Sequence, residues 1–111
     1  MNKYRNKKVQ VDMYVFDSIA ESRRYKELSL LQKVGKIENL QLQPKFLLQE
    51  SFKKNGKTYR KIEYIADFMY LQDGKTVVED VKGKETEAFK LKRKMFEHNY
   101  PNLELSIIKI K

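Results

Sequence analysis

No cysteine occurs among the 111 residues, which excludes disulfides and thiolate zinc sites and fits a reducing compartment. No apolar run approaches the ~18 residues that a membrane span requires. The N-terminus is basic, but no apolar stretch follows it, so no secretion signal is expected and the expected location is the cytoplasm. Internal repeats and low-complexity linkers are missing too. Histidine is down to one residue, His98. Its place late in a helical stretch reads as a helix-end cap before it reads as a ligand or general base.

What is present is aromatic and basic. Six Phe and seven Tyr supply enough apolar surface for one core without a crosslink. The length suits a single domain over residues 1–111. Against 15 acidic residues stand 24 basic ones, a formal net charge of +9. A polyanion is the natural partner for such a chain, with surface solubility as the plain alternative. Nucleic acid fits better than membrane, because the basic helix near the C-terminus needs its apolar face for the core.

Residues 7–16 alternate loosely and suggest a short hairpin. Residues 18–34 read as a helix, with Ser18 or Asp17 as its N-cap and Gly35 ending it. Residues 41–52 and 57–71 are strand-like and joined through Asn55-Gly56. Residues 75–82 form a third strand, joined to the second through Asp73-Gly74; both dipeptides are strong hairpin signals. Residues 86–98 are a second helix, with Ala88, Leu91, Met95 and Phe96 as the expected apolar stripe. Residues 103–110 close as a strand. The second helix crosses over, so the last strand can lie parallel to a central one. The expected class is α/β, a mixed sheet packed between helices.

If Asp73-Gly74 is a two-residue turn, Asp67 sits directly opposite Asp80. Lys82 then lies on the same face, two residues beyond. A three-residue loop would break this register. Opposed Cβ atoms in a sheet are about 4.5–5.5 Å apart, and like charges at that spacing destabilise the pair. Their neighbours, among them Ile65, Phe68, Val78 and Val81, suggest a buried hairpin, where unpaired charge is expensive. A cation between the carboxylates resolves the conflict. Lys82 supplies one charge, and a hard divalent ion such as Mg²⁺ would supply the rest. The plain alternative is an Asp pair at a wet rim with Lys82 as an ordinary salt-bridge partner, since Asp-x-Lys is a common tripeptide.

An Asp in one strand followed by Asp-x-Lys in its hairpin partner resembles the PD-(D/E)xK nuclease superfamily. The matching runs are Ile65-Ala66-Asp67-Phe68 and Glu79-Asp80-Val81-Lys82-Gly83. The resemblance implies an αβββαβ restriction-endonuclease-like core, Asp67 and Asp80 as metal ligands, and Lys82 as the catalytic lysine. It also implies a Glu in the first core helix, matched by Glu21 in Phe16-Asp17-Ser18-Ile19-Ala20-Glu21. Two departures stand out: Ala66 where Pro is usual, and Asp80 where Glu is more usual. More narrowly, the chain resembles small phage and prophage proteins long labelled a domain of unknown function. The shared features are Lys3-Tyr4-Arg5-Asn6, the run from Phe16 to Glu21, Leu42-Gln43-Pro44, Ala66-Asp67-Phe68 and Val81-Lys82-Gly83.

Glu21 also completes a Ser18-x-x-Glu21 capping box, in which it would only bond the cap amide. On a helical wheel it falls between Leu28 and Tyr25, toward the apolar side, although Arg24 and Glu27 lie near that side as well. Gln43 is either a strand-end amide or, by the resemblance, an active-site neighbour. Glu79 should face away from Asp80 as a structural group. Lys84, Lys90, Lys92, Arg93 and Lys94 are a solvated helix face or, this close to Lys82, a grip on the DNA phosphates. The resulting expectation is a Mg²⁺- or Mn²⁺-dependent DNA endonuclease. A subset of the resembled superfamily resolves four-way junctions as dimers, which makes branched DNA in phage recombination or replication the leading substrate and a homodimer the assembly to test. The rivals are a non-catalytic nucleic-acid-binding protein and an accessory subunit of a larger nuclease or recombination complex.

Overall fold

Both helices begin at a hydroxyl that takes an otherwise unpaired amide. The computed structural model describes residues 7–110; Lys3-Tyr4-Arg5-Asn6 lies outside them. Helix α1, Ile19–Lys33, is capped by Ser18, whose Oγ accepts from the Glu21 amide at 3.1 Å. It ends at Val34, and Gly35 follows at φ +80°, the left-handed turn that a residue without Cβ makes freely. Helix α2, Glu87–Asn99, is capped by Thr86, whose Oγ1 accepts from the Phe89 amide at 3.1 Å. No helix among the described residues is long and apolar enough to cross a membrane.

A hairpin of β1 (Val9–Val11) and β2 (Tyr14–Phe16) precedes α1. After α1 come β3 (Glu38–Leu42), β4 (Lys45–Gln49), β5 (Phe52–Lys54), β6 (Lys57–Tyr59), β7 (Ile62–Ile65), β8 (Phe68–Gln72) and β9 (Lys75–Lys82). Strand β10 (Glu104–Lys109) follows α2. The central sheet has the order β10-β9-β8-β3. Strand β10 runs parallel to β9 and the other pairs are antiparallel. The chain is therefore a mixed α/β structure, as expected, with the crossover through α2.

The two long strands expected over residues 41–52 and 57–71 are each broken. Gln43 adopts φ +50°, and Pro44 after it has no N–H to donate to a ladder. Pairing resumes as β4 with β7, and the ribbon β5–β6 extends beyond them. Two hydrogen bonds stitch the break: the Gln43 amide to the Asp67 carbonyl at 2.9 Å, and the Ala66 amide to the Pro44 carbonyl at 3.1 Å. The sheet bends here, at Asp67.

Both hairpin dipeptides behave as their chemistry requires. Asn55 and Gly56 sit at φ +52° and +75°, Asp73 and Gly74 at +52° and +79°, the doubly left-handed pattern that matches strand twist. The second turn fixes Gln72 opposite Lys75 and Phe68 opposite Glu79.

Alternation along β9 splits the core in two. Val77 and Val81 pack with Tyr25, Leu28, Phe68 and Tyr70 toward α1. Val78 packs with Phe46, Tyr64, Phe89 and Phe96 toward α2. The buried stripe of α2 is thus Phe89 and Phe96. Leu91 is 61% exposed and Ala88 is exposed as well, which corrects the expected stripe. The phase is set by the two rings that fill the space over β4 and β7.

Between α1 and β9 lies a buried ion pair. Glu79, 1% exposed, accepts from Arg24 Nε at 2.8 Å and Arg24 Nη2 at 2.7 Å, and also from the Tyr70 hydroxyl. This two-pronged geometry is the strong form of a carboxylate–guanidinium contact. Arg24→Met would leave Glu79 buried with only a phenol, at a cost of about 3–5 kcal/mol. We expect urea unfolding to show that loss, and Arg24→Met with Glu79→Gln together to recover much of it. A single Arg24→Met variant as stable as wild type would show that the pair does not anchor the helix.

Candidate active site

The bend in the sheet leaves Asp67 just before β8, where regular pairing has stopped. Its amide donates to the Glu79 carbonyl at 3.0 Å, and its carbonyl accepts from Gln43. Its Oδ2 accepts from the Val81 amide at 2.7 Å. The side chain therefore stands in for a ladder partner and is locked against β9. The ladder ends with Phe68 opposite Glu79, so the register that the turn implies holds as far as Phe68, and Asp67 lies just beyond it, tied to β9 through the Glu79 carbonyl and the Val81 amide.

Asp80 is 2% exposed and accepts from the Tyr64 hydroxyl. Lys82 Nζ lies 3.4 Å from Asp80 Oδ1 and 4.6 Å from the centre of the Phe89 ring. Its cation is thus held between a carboxylate and an aromatic face, while its side chain stays 30% exposed.

The electrostatics show crowding of negative charge. Burial pushes the Asp67 carboxyl up to about 8; the Val81 amide opposes the rise, and the Glu21 and Asp80 carboxylates add to it. Burial, then Asp17 and Asp80, raise the Glu21 carboxyl, with Lys82 pulling the other way. Burial and the bond to Asp80 keep the Tyr64 phenol protonated as a donor.

Glu21 belongs to this group rather than to its own helix cap. Ser18 Oγ accepts from the Glu21 amide, a backbone contact, and the Glu21 side chain lines two depressions. One, of about 210 Å³, is shared with Tyr14, Phe16, Gln43 and Asp67. The other is shared with Ser18, Lys82, Lys84 and Ile110. Glu21 is common to both: Gln43 and Asp67 border the first and Lys82 the second, so the cleft beside α1 is made of two depressions that meet at Glu21, and Asp80 lines neither.

The basic residues expected near the cleft divide. Lys84 borders it, and Lys92 lines a groove between β7 and α2 that also reaches Lys82. Arg93 is engaged by Glu85 at 3.0 Å and stacks 5.4 Å from the Phe89 ring centre. Lys90 pairs with Glu87 at 3.5 Å, and Lys94 is exposed. His98 sits exposed in the last turn of α2.

Three contributors are absent from the reading of the sequence. Tyr64 reaches Asp80 from β7, a strand that does not neighbour β9, so no hairpin register reveals it. Arg24 was visible only as a charge near the apolar side of α1. Tyr70 was legible: its partner is Val77, which puts it diagonal to Glu79 on the same face.

No three Asp, Glu, His or Cys side chains among the described residues gather closely enough to form a metal cage. The donor set is a pair, Asp67 and Asp80, with Glu21 across the cleft. Such a pair suits a hard cation that keeps part of its water shell, since with both carboxyls ionised it carries one negative charge more than the ammonium of Lys82 supplies.

Residues 1–111 match the family model described as a protein of unknown function, DUF1064, and the chain belongs to that family. Comparison with curated proteins gives no match.

Asp67 binds a proton more tightly in the folded chain than unfolded, where the carboxyl titrates near ~3.9. Its contribution to stability is therefore complete below pH ~4 and is lost as the pH rises to about 8. In EDTA, Asp67→Asn should melt close to wild type at acid pH and increasingly above it toward pH 8. Thermal melts across that range test this. A gap that stays constant, or an Asn variant that melts lower throughout, would mean that Asp67 is an ordinary ionised group.

Proposed function

We propose that the chain is a metal-dependent DNA endonuclease of the PD-(D/E)xK type. The observation that carries this reading is a buried Asp80 and a half-buried Asp67 on neighbouring strands, with Lys82 beside Asp80 at the edge of an open cleft. A fold places like charges this way at a cost, and a bound cation is the simplest way to recover it. The element order around the site, a helix, a bent antiparallel meander, a second helix and a parallel strand, agrees with a restriction-endonuclease-like core.

Asp67 and Asp80 would hold Mg²⁺ or Mn²⁺, with Glu21 contributing from α1. A divalent ion there supplies a more acidic bound water and polarises a phosphoryl oxygen. The protein's own groups do the positioning. Tyr64 donates to one Asp80 oxygen and Lys82 approaches the other, so the carboxylate cannot swing away. Lys82, steered by Asp80 and Phe89, presents an N–H donor toward the cleft. There it can orient an attacking water or stabilise charge growing on the phosphate. Gln43, fixed by its backbone bond to Asp67, offers an amide at the same opening. Lys84 and Lys92 flank the way in and meet the phosphate backbone, with Lys90, Arg93 and Lys94 adding field from α2. No motif for reading base edges is present, so the substrate is selected by shape, with branched DNA first.

The direct test uses purified protein with labelled linear, flapped and four-way DNA in Mg²⁺, Mn²⁺ or EDTA. Cleavage is expected with the metals and not with EDTA. Lys82→Ala and Asp80→Asn should each reduce it by about 10²-fold or more while DNA binding in EDTA persists. Glu21→Gln leaves the Ser18 cap intact, because that bond uses the backbone amide; activity should drop with little change in melting temperature. Wild-type-like cleavage by Lys82→Ala or Asp80→Asn would overturn the assignment.

A further inference from the structure

Residues 51–61 form an arm that the proposed cleft does not use. Strands β5 and β6 pair only with each other, Phe52 opposite Tyr59, Lys53 opposite Thr58 and Lys54 opposite Lys57. Every residue from 51 to 61 is exposed, and no other element packs closely on either strand. The radius of gyration is 15.9 Å, above the ~13 Å expected for a compact chain of this length.

The composition of the arm is one-sided. Lys53, Lys54, Lys57, Arg60 and Lys61 lie within it, and residues 51–61 include no Asp or Glu. Among the described residues only Lys61 of these five finds a carboxylate, Glu63 at 3.7 Å. Alternation and register set Phe52, Lys54, Lys57 and Tyr59 on one face. Lys54 and Lys57 are therefore like charges directly opposed, a pairing that destabilises a hairpin. Behind them Phe52 and Tyr59 stack at 4.8 Å with their planes 10° apart, yet stay 43% and 40% exposed. Lys57 Nζ lies 5.0 Å from the Tyr59 ring centre.

An opposed lysine pair calls for an anion between its members, just as an opposed carboxylate pair calls for a cation. An exposed aromatic platform calls for a flat apolar partner. One ligand class offers both together: a nucleic-acid strand with unpaired bases. In a duplex the base faces are covered by their neighbours, so the aromatic pair would have nothing to meet; in a single strand stacking is available at every base. We infer that the β5–β6 arm binds a single-stranded DNA segment, with phosphate at Lys54 and Lys57 and a base against Phe52 and Tyr59. This deepens the nuclease reading and rests on it for the choice of DNA: the substrate would be a duplex that carries an unpaired strand, a flap or an open branch.

The reach is suitable. At ~3.3 Å per strand residue, the run from Tyr59 to Asp67 spans at most about 26 Å, so one substrate can touch both the cleft and the arm. The groove lined by Glu63, Ile65, Lys82, Phe89 and Lys92 lies along β7 between them.

The test is binding in EDTA, where no cleavage occurs. Fluorescence anisotropy would compare a labelled oligo-dT of about 15 nucleotides, a typical single-strand site, with a blunt duplex. Phe52→Ala with Tyr59→Ala should weaken oligo-dT binding about tenfold or more and leave duplex affinity within about twofold. Lys54→Gln with Lys57→Gln should weaken it similarly and lower the salt dependence, yet melt no lower than wild type, because the variant relieves a repulsion. Unchanged oligo-dT affinity in both variants would overturn the inference. So would equal losses on oligo-dT and duplex, which would make the arm a general phosphate contact. Cleavage by wild type separates the two readings. Intact arm-dependent binding without any cleavage in Mg²⁺ or Mn²⁺ refutes the nuclease and keeps the arm, whereas full flap cleavage by both arm variants does the reverse.

Discussion

Strand β9 buries two consecutive carboxylates, and most of the architecture follows from how each is compensated. Glu79 faces α1 and Asp80 faces α2. Each has a tyrosine and a basic residue: Tyr70 and Arg24 for Glu79, Tyr64 and Lys82 for Asp80. There the likeness ends. Arg24 meets Glu79 with two donors at 2.7–2.8 Å, so that charge is fully matched. Lys82 meets Asp80 at one oxygen and 3.4 Å, and Asp67 adds another carboxylate beside it. One strand thus contains a closed ion pair and an open one. The closed pair makes the fold; the open pair is where the proposed cation would add its charge.

The closed pair also serves the open one. Arg24 is one turn beyond Glu21 on α1, so its bond to Glu79 fixes that helix against β9 close to the position from which Glu21 reaches the cleft. The break at Gln43 and Pro44 acts from the other side. A continuous strand would set Asp67 in regular pairing, with its carboxylate projecting from a flat sheet. The bend instead turns Asp67 so that its side chain caps the Val81 amide, and it brings Gln43 alongside. A left-handed residue that is not glycine costs of order 1–3 kcal/mol, and here that strain is spent next to the candidate site.

What was legible in the sequence was what local chemistry decides. Asp73-Gly74 dictates a turn whose geometry sets the register of β8 and β9, so every pair from Gln72–Lys75 to Phe68–Glu79 followed from counting, while the bend that takes Asp67 out of the ladder did not. Ser18 and Gly35 bound α1 by the same kind of local rule. Periodicity was weaker evidence. In α2, Leu91 and Phe89 are equally apolar, and only the shape of the space above β4 and β7 selects the ring. Contacts between distant elements gave no signal at all, which is why Tyr64 stayed hidden. Pro44 could have announced the break in the strand, because a residue that cannot donate is poorly tolerated in a central ladder. The opposed lysines of the arm follow from the same counting about Asn55-Gly56; what local chemistry does not show is that β5 and β6 pair only with each other.

The distribution of charge then bears on how a polyanion would engage this protein. The net charge is +9, but the cleft is locally acidic, with Glu21, Asp67 and Asp80 against Lys82. A phosphate backbone approaching it meets repulsion unless a cation or protons intervene. Attraction comes from elsewhere, from the arm at one end of β7 and the lysines of α2 beyond the other. Capture and chemistry are thereby assigned to separate surfaces. On the proposed reading, binding through the arm and α2 would need no metal, while seating a phosphate between Asp67 and Asp80 would. The proposed nuclease would then hold DNA before it could act on it, with the cation governing the second step alone.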